Sequence, residues 1–188
     1  MSYWEQSLRV EAVPLTSLIY FKPAFLSLKK PHPLWTTAGC SPAKVVMATV
    51  QAQMLSGRYR TEHLCRHWSK NKLGVCLLSA SCSSTSEDLP HLLASCPALQ
   101  QTRDKLTNFT NNFISTIPHL NHLVRSFCFP GHPLFCQFLI DCSVIPQIIA
   151  ATQIYGPDTL HHLFHITRTW IYSLHRERLK LLGRWNLI

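Results

Sequence analysis

The chain has 188 residues, of which 46% are hydrophobic and only 14% are charged. This length fits one domain or a small module with a flanking segment, and the high apolar content excludes disorder along the whole chain. The net charge of +9 favours an anionic partner, either a nucleic acid or a membrane surface, with an ordinary basic surface as the alternative.

Residues 1–40 contain four prolines and no sustained hydrophobic period, so they are predicted to form a loosely ordered extension. Glu5 and Arg9 are followed by no apolar core, and Lys22 with Pro23 interrupts the next apolar stretch, which argues against a signal peptide. We therefore expect a cytoplasmic or nuclear protein that is not secreted. In such a reducing compartment, the eight cysteines favour metal ligands or free thiols over disulfides.

Residues 41–116 are predicted to contain a helix and a small cysteine-containing module. Ser41 and Pro42 form a typical helix start, and Gly57 marks its end. A small irregular region lies between Gly74 and Cys96, with a turn-rich stretch to Ser86 and then a short helix, and Pro97 begins a further helix that extends to about Thr116. Two helices thus flank an irregular region.

Between these elements lies a basic segment, residues 58–72, in which aromatic side chains alternate with cations. Cations can contact phosphates, and exposed aromatic rings can stack on unpaired bases. The alternative is a solvated basic face whose aromatic residues pack inward. The candidate nucleic-acid contacts in this segment are Arg58, Tyr59, Arg60, Arg66, Trp68, Lys70 and Lys72.

Residues 117–188 are predicted to form a helical C-terminal segment. Residues 134–155 are apolar, but Asp141 and Pro146 favour two short buried helices over a membrane span. The last helix is predicted to begin with Asp158 as its cap and to end near Gly183, with apolar residues on one face. Its other face adds the candidate nucleic-acid contacts Arg176, Lys180 and Arg184.

These elements predict a mostly α fold, with helical segments around a small irregular region that carries a possible metal site. The spacing Cys-x5-Cys-x8-His-x4-Cys places two thiols on a loop and a His/Cys pair on or just after a short helix. Four such ligands suit a structural Zn²⁺ ion, whereas four unrelated buried residues are the alternative. We call this set the Cys/His cluster: Cys76, Cys82, His91 and Cys96.

Other metal and catalytic sites are less well supported. Cys65 and His67 lie near Cys76 in sequence, although packing suits Cys65 better. His161 and His165 stand one helical turn apart without the glutamate of a hydrolytic zinc helix. The sequence shows no catalytic motif. A second metal site, with core packing as the favoured alternative, would use Cys128, His132, Cys136 and Cys142.

The stretches MATVQAQMLSGRYRTEHLCRHWSKNKLGVC and HLLASCPALQQTRDKL resemble the region downstream of the reverse transcriptase in polyproteins of non-LTR (LINE-type) retrotransposons. In that region a helix leads into an Arg/Trp-containing segment and then a Cys/Cys/His/Cys motif similar to a zinc knuckle. The closing stretch LFHITRTWIYSLHRERLKLLGRW also resembles the tail of some of these elements, so the resemblance covers about residues 41–188. This sequence departs from the family in the wider spacing of its first cysteine pair, and it lacks the polymerase carboxylates and the downstream nuclease residues.

The resemblance implies that the Cys/His cluster binds a structural Zn²⁺ ion and that Glu87 and Asp88 cap the helix that carries His91. It also implies a non-catalytic accessory segment that binds RNA or DNA, with a reverse transcriptase domain as a further possible partner. The alternatives are a helical scaffold fragment, whose apolar face from Leu160 to Leu181 would be exposed in the isolated chain, and a retroelement remnant without function.

Overall fold

The computed structural model describes residues 18–25, 30–71 and 73–183. The predicted mostly α fold is confirmed, because the described residues form helices and contain one isolated β-bridge but no strand. Shorter helical turns lie at Pro23–Phe25, Ala80–Cys82, His91–Ser95, Pro97–Leu99 and Cys142–Val144. The α-helices are α1 (Pro33–Thr36), α2 (Pro42–Leu55), α3 (Glu62–Cys65), α4 (Gln100–Ser115), α5 (Pro118–Phe127), α6 (Phe135–Ile140), α7 (Pro146–Tyr155) and α8 (Asp158–Leu181).

Helix α2 begins and ends close to the predicted residues. Pro42 occupies its first turn, where a missing N–H costs no helical hydrogen bond. Ser41 precedes it in an extended conformation, although its side chain makes no capping hydrogen bond. Gly57 has a φ of +65°, a left-handed conformation that side chains disfavour and that terminates helices.

The 24-residue helix α8 is the centre of the fold. It packs against α2, α4, α6 and α7, and its buried arc includes Leu163, Phe164 and Ile171. The expectation that the face from Leu160 to Leu181 would be exposed is therefore wrong for most of that face, because neighbouring helices cover it. Asp158 is the first helical residue rather than the cap, where its negative charge still suits the helix dipole.

Trp170 connects α8 to two other helices in the core. Its side chain is fully buried, and its ring meets that of Phe135 from α6 edge-on at a centroid distance of 5.6 Å. Its indole N–H donates a 2.8 Å hydrogen bond to the hydroxyl of Thr110 on α4. A large buried aromatic side chain whose N–H is hydrogen-bonded contributes strongly to the stability of a core of this size.

The predicted boundaries at residues 40 and 116 are not boundaries of the core. Leu34 and Ala38 are buried, and the hydroxyl and carbonyl oxygens of Thr37 accept hydrogen bonds from Arg168 on α8. One cluster of buried apolar residues includes members from before and after both boundaries. The rest of the predicted extension, residues 1–17 and 26–29, lies outside the described residues.

The apolar stretch at residues 134–155 forms α6, a short turn and α7, which confirms the prediction of two short helices. Asp141 lies between them and is buried, where its carboxylate accepts hydrogen bonds from the backbone and hydroxyl of Ser143. In the described part of the chain, no helix combines the length and hydrophobicity needed to span a bilayer.

Replacing Trp170 tests the core. We expect Trp170→Ala to lower the free energy of unfolding by about 3–5 kcal/mol, because it leaves a cavity and an unpaired Thr110 hydroxyl. Trp68→Ala is the matched control, since Trp68 is 68% exposed, and its effect on stability should stay within about 0.5 kcal/mol. Equal losses in urea denaturation of the two variants would contradict this packing.

His175 on α8 should make stability depend on pH. Its Nδ1 atom lies 3.0 Å from the Tyr59 hydroxyl, and burial, with a smaller effect of Arg178, lowers its pKa to about 4. The unfolded chain, with a histidine pKa of about 6.5, takes up this proton first as the pH falls. The contribution of neutral His175 to the free energy of unfolding is therefore complete above about pH 6.5 and is lost progressively towards pH 4.

We expect His175→Gln to reduce the fall in unfolding free energy between pH 7 and about pH 4.5. His122→Gln, at an exposed histidine, should retain the full fall. Urea denaturation at several pH values measures both, and an unchanged pH dependence in His175→Gln would show that His175 is not the group responsible.

Candidate metal centre

A short closed loop positions the two cysteines of the first pair. Val75 and Ser86 form an antiparallel bridge, and the N–H of Cys76 donates to the carbonyl of Thr85 at 2.8 Å. Gly74 precedes the bridge with a φ of +75°, and a Cβ atom there would lie 2.6 Å from the Arg66 side chain. Glycine thus lets the loop close and lets Arg66 pack on it.

The second pair is held by one wide helical turn. His91–Ser95 is a π-helical turn, in which the N–H of Cys96 donates to the carbonyl of His91 at 2.7 Å. This bond between residues five apart brings the two ligands to one side, although an α-helix would separate them. The helix ends before Cys96, as predicted, because Cys96 is extended and Pro97 starts a new turn.

These two substructures bring the four predicted ligands together. All members of the Cys/His cluster are buried, and their ligand atoms lie within 4.8 Å of one another. The sulfur atoms of Cys76 and Cys96 are 3.8 Å apart, and the cysteines are free thiols rather than a disulfide. The cluster is therefore close enough to hold a metal ion.

The imidazole of His91 leaves one nitrogen for such an ion. Its Nδ1 atom lies 3.4 Å from the Ser95 hydroxyl. Its Nε2 atom is buried without a hydrogen-bond partner, although buried polar atoms in native proteins nearly always have one. Metal-binding histidines use one ring nitrogen for the metal and the other for a hydrogen bond that orients the ring, and His91 fits this arrangement.

The thiols of the Cys/His cluster would have to lose protons in order to bind a metal. Burial raises the pKa of Cys76 and, in the same way, the pKa of Cys96. A buried thiolate is costly without a cation beside it. Occupation of this site should therefore release protons and weaken as the pH falls.

Asp88 caps the ligand turn, but Glu87 does not. The Asp88 carboxylate accepts a 2.8 Å hydrogen bond from the N–H of His91, as the resemblance implied. Glu87 is instead fully buried, where its two oxygens accept hydrogen bonds of 2.9 and 2.8 Å from Arg178 on α8. Its carboxylate also accepts from the N–H of Glu62. Glu87 thus forms a buried ion pair between the loop and α8 instead of the expected cap.

Arg178 is a site residue that sequence reasoning missed. It donates to the Arg60 carbonyl at 3.1 Å as well as to Glu87, so it joins the basic segment to the loop of the Cys/His cluster. Only its position in the last turns of a basic helix could have drawn attention to it, and that pattern describes many solvated residues equally well.

Most candidate nucleic-acid contacts are exposed, but Tyr59 is not. Tyr59 is only 4% exposed, and its ring lies against His175 and beneath the Arg178 guanidinium. It packs inward because α8 offers it a hydrogen bond and a cation, so the expected stacking role is wrong for this residue. Lys72 and Arg184 lie outside the described residues. The exposed candidates are Arg58, Arg60, Arg66, Trp68, Lys70, Arg176 and Lys180.

The remaining cysteines and histidines do not form another metal group among the described residues, in which the Cys/His cluster is the only set of three or more close potential ligands. Cys142 is fully buried in the core, as its favoured interpretation predicts. His165 packs against the rings of Phe109 and Phe113. Cys142 and His165 therefore serve packing.

A cavity of about 250 Å³ is lined by residues of the basic segment and by residues that directly precede His91. Its wall includes Tyr20, His63, His67, Asp88 and Leu89. This concave surface thus presents both apolar and hydrogen-bonding groups.

Comparison with protein-family models, with curated proteins and with solved structures finds no match. The resemblance to retrotransposon polyproteins therefore stays a prediction.

Arg178→Met tests the connection between the cluster and α8. It leaves the Glu87 carboxylate buried without its cation, so we expect a loss of about 3–5 kcal/mol in the free energy of unfolding. Lys180→Met is the control, because the 3.7 Å pair of Lys180 with Glu177 is at the surface and should contribute less than about 1 kcal/mol. Losses of similar size in Arg178→Met and Lys180→Met, measured by thermal and urea denaturation, would contradict the assigned role of Arg178.

Proposed function

We propose that the chain is a non-catalytic, zinc-dependent nucleic-acid-binding segment. The geometry of the Cys/His cluster is the main support for this proposal. Zinc–sulfur bonds of about 2.3 Å in a tetrahedron place neighbouring sulfurs about 3.8 Å apart. Cys76 and Cys96 have this separation, 3.8 Å, without a disulfide between them.

The donor set also favours zinc over other ions. Three thiolates and one imidazole are soft or borderline ligands, whereas Mg²⁺ and Ca²⁺ prefer oxygen. Four protein ligands complete a tetrahedron and leave no position for a reactive water, so the proposed ion is structural. The proposed role is therefore to fix the loop and the π-helical turn.

The loop that carries Cys76 and Cys82 contacts the basic segment directly, which supports a role in binding anions. His63 bonds through its Nδ1 atom to the Ser86 hydroxyl at 2.7 Å, and its N–H donates to the Glu87 carbonyl at 3.3 Å. Arg66 packs on Gly74 in the same loop. An ion that orders this loop would thereby order the cations beside it.

The exposed side chains suit single-stranded nucleic acid in particular. Arg58, Arg60, Arg66 and Lys70 supply positive charge, and Trp68 offers an accessible ring among them. Proteins that bind single strands combine such cations with stacking platforms. Arg176 and Lys180 lie in the turns of α8 that hold Tyr59 and the Arg60 carbonyl, so they extend the basic character at that end of α8.

The resemblance to non-LTR retrotransposon polyproteins gives this proposal a context, namely an accessory segment that acts beside a reverse transcriptase domain. The scaffold alternative depended on an exposed apolar face on α8, and most of that face is covered within the chain. No observation on the described residues favours it.

Zinc content is the first test. Protein purified without added metal should contain about one Zn²⁺ per chain by elemental mass spectrometry, and Cys82→Ser should lose it. Cys40→Ser is the control, because Cys40 is exposed and outside the cluster, and it should retain the ion. Folded protein without zinc, or zinc retained in Cys82→Ser, would contradict the proposed centre.

Binding of a single-stranded oligonucleotide should depend steeply on salt. Replacing Arg58, Arg60 and Arg66 by Gln should reduce the slope of log K against log salt by about 2, since each lost phosphate contact contributes about 0.7. A triple variant at Lys44, Lys105 and Arg125, which lie outside the basic segment and are exposed, is the control and should retain the slope. Fluorescence anisotropy at several salt concentrations measures both, and equal slopes would exclude the basic segment as the binding surface.

Trp68 should contribute by stacking rather than by charge. We expect Trp68→Ala to weaken single-strand binding by about 1–3 kcal/mol without changing the salt slope. Trp35→Ala is the control, because Trp35 is also exposed but lies on α1. Equal affinities of the two variants, measured at one salt concentration, would show that Trp68 does not contact a base.

A further inference from the structure

Arg103 on α4 is a buried cation that touches the Cys/His cluster. It is only 2% exposed. Its Nη2 atom donates to the carbonyl of Cys96, one of the four ligand residues, and to the side-chain oxygen of Gln100. Its Nε and Nη1 atoms are buried without hydrogen-bond partners. The guanidinium is therefore only partly satisfied by neutral oxygens.

Burying such a cation is costly unless a negative charge lies nearby. Arg178 meets this requirement through Glu87, at 2.8 Å. The acid next to Arg103 in sequence, Asp104, is exposed and accepts instead from the amide of Gln100.

A zinc ion with three thiolates and one neutral imidazole has a single net negative charge, because the two positive charges of the metal offset only two of the thiolates. We propose that Arg103 is a positioning residue that neutralises this charge and holds the Cys96 backbone in place. The proposal rests on the proposed zinc site and assigns the cation that balances its charge.

The positive charge of Arg103 has an effect on metal binding that its hydrogen bond to the Cys96 carbonyl does not have. A cation beside the thiolates opposes their protonation, so the metal should be retained to a lower pH. A residue that only held the Cys96 carbonyl would affect folding but not the competition between protons and zinc. The pH at which half of the zinc is released therefore separates the two roles.

The test uses the full chain loaded with zinc and two variants of Arg103. Arg103→Gln removes the charge and leaves a shorter neutral amide, whereas Arg103→Lys retains the charge on a long side chain. We expect Arg103→Gln to bind zinc about 10- to 100-fold more weakly in competition with a chromogenic chelator and to release it at a higher pH. Arg103→Lys should recover most of the affinity and release zinc near the wild-type pH.

Arg168→Met is the matched control, because Arg168 is equally buried and donates to carbonyl oxygens of Phe164 and Thr37 rather than to the cluster. It should lower the unfolding free energy but leave zinc affinity and release pH unchanged in the folded protein. Arg103→Met, which has a similar volume and no charge, repeats the test if Arg103→Gln fails to fold.

Two results would overturn the proposal. Equal zinc affinity and release pH in Arg103→Gln and the wild type would show that the charge has no part in the site. Equal weakening in Arg103→Gln and Arg103→Lys would assign the effect to hydrogen-bond geometry instead. Wild-type protein that binds no zinc would remove the proposed centre itself, which distinguishes that failure from a failure of the Arg103 assignment.

Discussion

The buried ion pair between Glu87 and Arg178 is the interaction on which the arrangement of this protein depends. Glu87 lies in the irregular region between Cys82 and His91, and Arg178 lies near the end of the central helix. The same guanidinium binds the Arg60 carbonyl. One buried contact therefore fixes the loop of the Cys/His cluster, the start of the basic segment and helix α8 relative to one another, and removal of either charge would leave the other buried without its partner.

An ion pair of this kind gives specificity of position more than net stability, because desolvation of both charges offsets their attraction. The apolar core around α8 includes Leu92 and Leu93 of the irregular region as well as residues of the helices. The irregular region is held mainly by an isolated bridge, short turns and a few buried residues. A metal ion at the Cys/His cluster would supply what this region lacks, and the proposed nucleic-acid surface would then depend on the ion through the contacts of His63 and Arg66 with the loop.

Sequence patterns predicted the parts that depend on local signals. Pro42 and Gly57 marked the limits of α2, Pro146 divided the apolar stretch, and ligand spacing selected the Cys/His cluster that the fold brings together. The parts that depend on distant residues were missed. Tyr59 has the sequence context of an exposed aromatic residue, but a hydrogen bond to His175, 116 positions away, draws it inward. Glu87 has the context of a helix cap, and its partner Arg178 is 91 positions away. No local pattern contains such pairings.

In the proposed site, the Cys/His cluster holds one zinc ion through three sulfurs and the Nε2 atom of His91. X-ray absorption at the zinc edge, on protein purified without added metal, tests this directly because it reports the ligand atoms and their distances. We expect three sulfur neighbours at about 2.3 Å and one nitrogen at about 2.0 Å. A shell of only oxygen or nitrogen atoms, or a folded protein with no zinc signal, would contradict it.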